Sequence, residues 1–347
     1  MTSPIVFLTG ESNLNLAKQV AKHLSTLYKQ DIQCHNCSLG KFSNGESRIQ
    51  IPVSVRGCDV YVFQSTCSTS PNDSLVELLL ILQAAKLSDA HRLTAFVPAF
   101  AYARQDRKSK PREPISARLV CDLIKTAGAH RLMLYDVHAD QEAGFFDGPV
   151  DNLFAMNYFV RNVLARGYSL ADLKARFVVA SPDAGGVKRA EKFANFLGGL
   201  DVAIIHKNRP NPGEVGTMKL VGSVQGYIVL MIDDIADTCG TLVKAAQVLK
   251  ENGAIRTIAF ATHGVLSGAA FQNLQGAKSI NFELFVTDTI DVQANAESKK
   301  MQLPSNLTVL SVAEMTAVAI QTANQSGSLS QLYDYDTWLK LFTNFQQ

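Results

Sequence analysis

Short apolar, β-branched runs alternate along the chain with longer stretches in which apolar residues recur every three or four positions. Ile5 to Leu8, Val60 to Gln64, Leu93 to Pro98 and Arg131 to Tyr135 read as strands. Leu14 to Leu27, Leu75 to Leu87 and Ile115 to Thr126 read as helices, with Asn72-Asp73-Ser74 offering an N-cap to the second. The rhythm then restarts with a helical stretch, Phe159 to Leu164. Strands follow at Phe177 to Ala180, Val202 to His206, Ile228 to Ile232 and Thr257 to Thr262, with a helix from Thr241 to Lys250. Strands alternating with helices predict an α/β fold with mostly parallel sheets covered on both faces. Two such series, divided near Gly148 to Asn152, predict two domains, 1–150 and 151–347. At the end of the chain Leu332, Tyr335, Trp338, Phe342 and Phe345 keep helical spacing. They predict a last helix packing back on the N-terminal domain or on a neighbouring subunit.

Composition supports this picture. The chain has 347 residues, which at about 150 per domain also predicts two domains. Hydrophobic residues make up 47%, charged residues 18%, and the net charge is +2. Such balance excludes disorder and gives no reason to expect a nucleic-acid partner. Apolar runs such as Leu78 to Leu82 and Tyr227 to Ile232 fall far short of the roughly 20 residues of a membrane span. The N-terminus has no basic leader or long apolar stretch. A soluble, cytoplasmic protein without membrane attachment is expected. The six cysteines have no disulfide-framework spacing, and the lone pair Cys34 and Cys37 reads as ordinary packing. His23, His91, His130 and His263 are isolated and read as structural.

The most informative segment runs from Ile228 to Thr241. A buried strand ends in two adjacent carboxylates, Asp233 and Asp234. A loop of small and hydroxyl residues, Asp237-Thr238-Cys239-Gly240-Thr241, then opens a helix. Ligands of open α/β sheets bind at the carboxyl ends of strands. Free N–H groups at a helix start suit a phosphate. Carboxylates repel phosphate but accept hydrogen bonds from sugar hydroxyls. A phosphate at one end and a diol at the other describe a sugar phosphate.

This segment resembles the phosphoribosyl-pyrophosphate loop of type I phosphoribosyltransferases and of ribose-phosphate pyrophosphokinases. Four further motifs resemble the second family alone. Phe42-Ser43-Asn44-Gly45-Glu46 is similar to its adenine loop, and Pro98 to Lys108 to its ATP-phosphate segment. Asp136-Val137-His138-Ala139, with Gly144-Phe145-Phe146-Asp147, is similar to its metal signature. Ser181-Pro182-Asp183-Ala184-Gly185-Gly186 is similar to its pyrophosphate turn. The likeness runs from about residue 5 to about 330, in family order. It implies two type I phosphoribosyltransferase-like domains with a site between them. The implied reaction moves the diphosphoryl group of ATP to the 1-hydroxyl of ribose 5-phosphate, giving AMP and phosphoribosyl pyrophosphate for nucleotide biosynthesis.

The resemblance implies roles residue by residue. Phe42 stacks on adenine, with Asn44 and Glu46 reading its edge or the nucleoside. Arg104 and Gln105 contact ATP, Arg104 at a phosphate or by stacking. His138 and Asp183 match metal-contacting positions, with Asp136 a weaker candidate, and Mg²⁺ is the implied ion. Imidazole is an unusual inner ligand for it, so a contact through water is equally open. The small residues after Asp183 let backbone N–H groups approach phosphate. Lys207 and Arg209 head a Pro/Gly-rich loop and match the family's two catalytic cations. They are expected to neutralise charge in the transition state. Asp233, Asp234, Asp237, Thr238, Cys239, Gly240 and Thr241 bind ribose 5-phosphate. The family also implies a dimer-based homo-oligomer, often a hexamer, with adenine bound by a neighbouring subunit's Phe42 loop.

Departures from the family pattern bear on regulation. Pro210, Pro212 and Gly213 replace a more basic stretch in the loop. Ser109 stands where an acidic residue is usual, and Ala143 where a Gln is. Arg112, Ser328 and Ser330 match the family's pattern, so phosphate activation and ADP inhibition stay open. Two rival readings remain. One is a non-catalytic regulatory subunit of the same family. The other is a phosphoribosyltransferase, which leaves the motifs of the first 150 residues unexplained.

Overall fold

The computed structural model describes residues 3–208 and 217–333. They form two compact units. Of the described residues, the first holds those up to Phe154, the short stretch Thr289–Asp291 and those from Ser311 to Tyr333; the second holds those between Ala155 and Asp288 and Val292–Leu310. A cut at 150/151 differs from this in two ways. It falls at the start of a strand, Val150–Leu153, that belongs to the first sheet. It also assigns the helix Ala313–Asn324 to the second half, whereas that helix lies with the first unit.

The first unit is built on six parallel strands: β1 (Ile5–Thr9), β2 (Cys34–Asn36), β5 (Asp59–Phe63), β6 (Arg92–Val97), β7 (Arg131–Tyr135) and β8 (Val150–Leu153), in the order β2-β1-β5-β6-β7-β8. A two-stranded antiparallel hairpin, β3 (Ser38–Lys41) and β4 (Ser47–Gln50), stands apart from the sheet. Helices α1 (Leu14–Tyr28), α2 (Pro71–Leu87) and α3 (Ser116–Ala127) make the crossovers. The Asn13 side chain caps α1, accepting from Leu16 N–H at 3.4 Å. Leu16, Ala17, Val20, Ala21 and Leu24 then form its buried face. Helix α2 begins earlier than the Asn72–Ser74 cap expected from the sequence. Pro71 occupies its first turn, where a fixed φ is already helical and a missing N–H costs nothing.

The second unit opens with α4 (Met156–Leu164) and α5 (Leu170–Arg176). Its seven strands are β9 (Phe177–Ser181), β10 (Val202–Asn208), β11 (Thr217–Val221), β12 (Ile228–Ala236), β13 (Arg256–Gly264), β14 (Phe282–Thr287) and β15 (Leu307–Leu310). The order is β11-β10-β9-β12-β13-β14-β15, parallel except for the β10–β11 pair. Helices α6 (Val187–Phe196), α7 (Gly240–Glu251), α8 (Ala270–Gly276) and α9 (Val292–Ser298) connect them. The last helix, α10 (Ala313–Asn324), returns to the first unit. There Asn324 accepts from Tyr28 Oη at 2.9 Å and donates to Asp59 Oδ2 at 3.0 Å. Thr316 pairs with Tyr135 Oη at 2.7 Å. These buried polar contacts account for its placement, because each group would otherwise lose its partner away from water.

The central strands β5 and β9 are buried along their whole length, which fits sheets covered on both faces. All six cysteines are free. Burial pushes the thiols of Cys34 and Cys37 up to about 11 and about 12, which suits packing rather than metal or redox work. In the terminal apolar stripe Leu332 is buried, and the residues from 334 on lie outside the described ones.

Candidate active site

On the first unit the candidate residues sit on three connections at one end of the sheet. The β3–β4 turn carries Phe42, Asn44 and Glu46. Phe42 and Glu46 close it through Phe42 N–H to Glu46 O at 2.8 Å, and Gly45, at φ 91°, supplies the left-handed residue it needs. Asn44 Oδ1 accepts from Glu46 N–H at 3.2 Å, so Asn44 shapes the turn itself. The Phe42 ring is left 51% exposed, with the Arg48 guanidinium 6.0 Å from its centroid. An apolar ring held half out of a polar turn is a stacking platform in want of a partner.

The segment after β6 holds Arg104 and Gln105. Arg104 is exposed. The Gln105 side chain accepts from Ser116 Oγ, and its carbonyl takes the Ala117 N–H at 3.3 Å, anchoring the segment to α3. Tyr102 Oη donates to Asn72, and Lys41 Nζ meets Asp73 Oδ2 at 2.6 Å. The hairpin and the Arg104 segment are thus both tied to the first turn of α2. Gln141 Nε2 donates to Asp106 Oδ2 at 2.6 Å and adds the turn after β7 to the same assembly.

That turn carries Asp136 and His138. Asp136 is buried at φ 35°, with its N–H bound to Leu153 O at 2.8 Å. His138 beside it is exposed. Two residues not singled out in the sequence hold this turn. Asn152 Oδ1 accepts from Val137 N–H at 3.2 Å, and buried Glu142 accepts from Ala139 N–H at 2.9 Å. Glu142 stands three residues after Ala139, the spacing by which an acid reaches back to a turn's first N–H.

On the second unit Asp183 follows β9. Its Oδ1 accepts from Gly185 N–H at 2.9 Å and Gly186 N–H at 3.1 Å. The two N–H groups expected to face a phosphate are therefore occupied by the turn's own carboxylate. The acidic pair lies inside β12, which runs to Ala236 rather than stopping at Ile232. The backbone goes on pairing with β13 through Ile235↔His263 and Ala236↔Gly264, since polar side chains at a strand end do not interrupt its ladder.

Arg189 on α6 is the cation that sequence reading missed. Its guanidinium reaches Asp234 Oδ1 at 3.2 Å and Asp233 Oδ1 at 3.5 Å. Asp234 is buried, and its N–H donates to Asp233 Oδ1 at 2.9 Å. Burial holds the Asp233 carboxyl well above the usual carboxylate range. The neighbouring Asp234 and the charge of Asp183 add to the shift, and Arg189 opposes it. A basic residue in the helix after a strand-end turn was the only signal for Arg189 in the sequence.

The loop after β12 ends at α7. Cys239 is its left-handed residue at φ 59°, buried, with its thiol pushed up to about 12 by burial. Ser267 Oγ donates to Asp237 Oδ1, and Asn273 Nδ2 donates to Thr238 O at 2.8 Å. Thr238 is exposed and lies within reach of Gly240 N–H, at 3.5 Å. The first turn of α7 carries no acidic residue and no side-chain cap. Its positive end is open to an anion.

Lys207 is the penultimate residue of β10, where it pairs with Met218 of β11, and its side chain lies outside what is described. Arg209 lies outside the described residues. Among the described residues no group of three or more His, Cys, Asp or Glu could by itself hold a metal ion. No helix among them is long and apolar enough to cross a membrane.

Residues 5–128 match the model of the N-terminal domain of ribose phosphate pyrophosphokinase, and residues 208–334 match the phosphoribosyl synthetase-associated domain. The chain is 41% identical over 333 residues to ribose-phosphate pyrophosphokinase A of Dictyostelium discoideum, covering 96% of this chain and 99% of that one. It is 42% identical over 325 residues to ribose-phosphate pyrophosphokinase of Campylobacter jejuni, covering 94% and 97%. The solved structure of phosphoribosylpyrophosphate synthetase from Mycobacterium smegmatis is similar with a TM-score of 0.82 at 39% identity, over 93% of this chain and 100% of that one.

Proposed function

The chain belongs to the ribose-phosphate pyrophosphokinase family and transfers the diphosphoryl group of ATP to the 1-hydroxyl of ribose 5-phosphate; we propose that the residues described above divide this work between ATP and the sugar phosphate. The products are phosphoribosyl pyrophosphate and AMP. The observation that carries the assignment is similarity over nearly the whole of both chains, at about 40% identity, to enzymes of that name.

The reacting atoms are the ribose 1-hydroxyl oxygen and the β-phosphorus of ATP. The new bond joins them, and AMP leaves with the bridging oxygen. Such a transfer needs alignment and charge neutralisation more than covalent help. Phe42 supplies a stacking face for adenine. Arg104 supplies a charged donor fork for the polyphosphate. Asp233 and Asp234 accept hydrogen bonds from the ribose hydroxyls, with Arg189 holding them in place. Thr238, Cys239, Gly240 and Thr241 surround the 5-phosphate at the open start of α7. Asp237 acts at one remove: its carboxylate is committed to Ser267 and shapes the loop. Lys207 and Arg209 neutralise the transferred group.

The family is generally Mg²⁺-dependent. The donor set fits that ion. Magnesium takes few protein ligands and keeps waters and substrate phosphates, so a chain without a three-ligand cluster among its described residues suits it. Asp136 and His138, the latter through water, are the candidate contacts on the first unit and Asp183 the candidate on the second; an ion bound at either would offset polyphosphate charge.

We propose an assembly of copies, dimer-based and up to a hexamer; an apolar stripe supports contact between copies, not their number. Ile115 at the N-cap of α3, and Leu119 and Leu123 within it, are 36%, 57% and 38% exposed. A cytoplasmic location is supported by six free cysteines. The test of the function is product analysis. With ATP, ribose 5-phosphate and Mg²⁺ together, AMP is released; with the sugar phosphate omitted, it is not. ADP as product, or no turnover, overturns the reading.

A further inference from the structure

The chain after β13 fixes the loop between β12 and α7 residue by residue. Leu266 N–H donates to Ala236 O at 3.0 Å. Ser267 Oγ donates to Asp237 Oδ1, and the Nδ2 of half-buried Asn273, on α8, donates to Thr238 O at 2.8 Å. Three successive loop residues thus each have an acceptor held from one segment. That segment is itself anchored. Leu266 is buried at φ 47°, a conformation that a non-glycine residue keeps only where its surroundings impose it. Helix α9 imposes it: buried Asn295 donates to Val265 O at 2.7 Å, and Lys299 Nζ, just past the helix, donates to Leu266 O.

The hydrogen bond from Asn273 has a consequence on the other side of the loop. A peptide group is planar and trans, so its N–H points away from its C=O. With Thr238 O turned toward Asn273, the N–H of Cys239 faces the opposite side. Helix α7 starts at Gly240, directly after it, with no acidic residue in its first turn and no side-chain cap. An N–H set beside that open helix start adds one donor for an anion. The orientation is not the one Cys239 would choose. Its φ is 59°, whereas non-glycine residues prefer negative φ. Rotating the Thr238–Cys239 peptide by half a turn would return Cys239 to negative φ and aim its N–H the wrong way. That rotation breaks the bond from Asn273.

We propose that Asn273 is a positioning residue for the sugar-phosphate substrate: it locks the Thr238–Cys239 peptide so that the Cys239 N–H is offered to the 5-phosphate, which rests on the reading of the start of α7 as the place of that phosphate. Asn273 acts through the loop and not on the ligand.

Steady-state kinetics of the full-length chain test this role. Asn273→Ala raises KM for ribose 5-phosphate about tenfold, the scale of one hydrogen bond to a charged group. It leaves kcat, KM for ATP and the melting temperature unchanged. Asn273→Leu, similar in size but without a donor, behaves like Asn273→Ala, and Asn273→Gln, which keeps an amide donor, recovers part of the loss. Thr241→Asp tests the premise separately, since an acid in the first turn of α7 repels a phosphate bound there and raises the same KM. An unchanged KM for ribose 5-phosphate in Asn273→Ala, with Thr241→Asp impaired, overturns the role of Asn273 alone. No effect of Thr241→Asp places the phosphate elsewhere and overturns premise and role together. A lower melting temperature in Asn273→Ala, with kcat and both KM values altered, makes Asn273 a structural residue and also overturns the role.

Discussion

The two units present their candidate residues in opposite ways. On the first, Phe42, Arg104 and His138 are exposed and ride on turns, and the fold's effort goes into the residues behind them: Asn44, Gln105, Gln141 and Glu142. On the second, Asp233 and Asp234 lie within a strand, Asp234 is buried, and Arg189 ties both down. The residues proposed for the nucleotide are open, and those proposed for the sugar are built in advance. A large planar base can be bound by one exposed ring. Hydroxyls must be read by acceptors that are fixed and partly desolvated.

The largest effect is expected from a residue of the second unit outside the Arg189–Asp233–Asp234 cluster. Lys207→Ala should lower kcat by about a thousandfold with little change in KM, the signature of a group that neutralises transition-state charge. A change confined to KM would make it a binding residue and return the weight to the two regions.

Next comes the pre-built end. Arg189→Met leaves two adjacent carboxylates without their cation. It should destabilise the chain by about 3 kcal/mol in denaturant titration, and raise KM for ribose 5-phosphate far more than KM for ATP. Arg189→Lys should restore stability in part. Unchanged stability and KM would break the contrast drawn above.

The open end should respond more mildly. Phe42→Ala should raise KM for ATP about tenfold, the scale of a lost base stack, and leave kcat, stability and KM for ribose 5-phosphate alone. A fall in melting temperature would mean that the exposed ring supports the fold.

The smallest effect concerns pH. The Asp233 carboxyl is held above the ordinary range, so the folded chain binds its proton more tightly than the unfolded chain does. That contribution to stability is complete at low pH. It is lost as pH rises from the ordinary aspartate range to the raised value, and is flat beyond. In metal-free buffer the melting temperature of the parent chain should therefore decline across that window relative to Asp233→Asn. Parallel curves would contradict the shift.

Periodicity made β1, β5, β6, β7, β9, β10, β12, β13 and the first three helices legible, because burial on both faces leaves continuous apolar runs. It missed the short strands β2, β3, β4, β8, β11 and β15, the last two carrying exposed Val221 and Val309, and also β14, which lies inside the second sheet. It also assigned α10 to the wrong neighbourhood, since Asn324, Thr316 and Tyr135 find one another only in three dimensions. For the site, the loop from Asp233 to Thr241 was readable as chemistry because strand, acids and helix start are contiguous. Arg189 was not, as its partners lie 44 and 45 residues away. The commitment of Asp183 Oδ1 to its own turn is likewise a matter of geometry that the small-residue spacing does not disclose.

A diphosphoryl group moves as a unit from ATP to the sugar. ATP labelled in its β-phosphate tests this directly when incubated with the purified chain, ribose 5-phosphate and Mg²⁺. The account predicts that the label appears in phosphoribosyl pyrophosphate, in equal amount to unlabelled AMP. Label retained in ADP, or a sugar product without it, would contradict it.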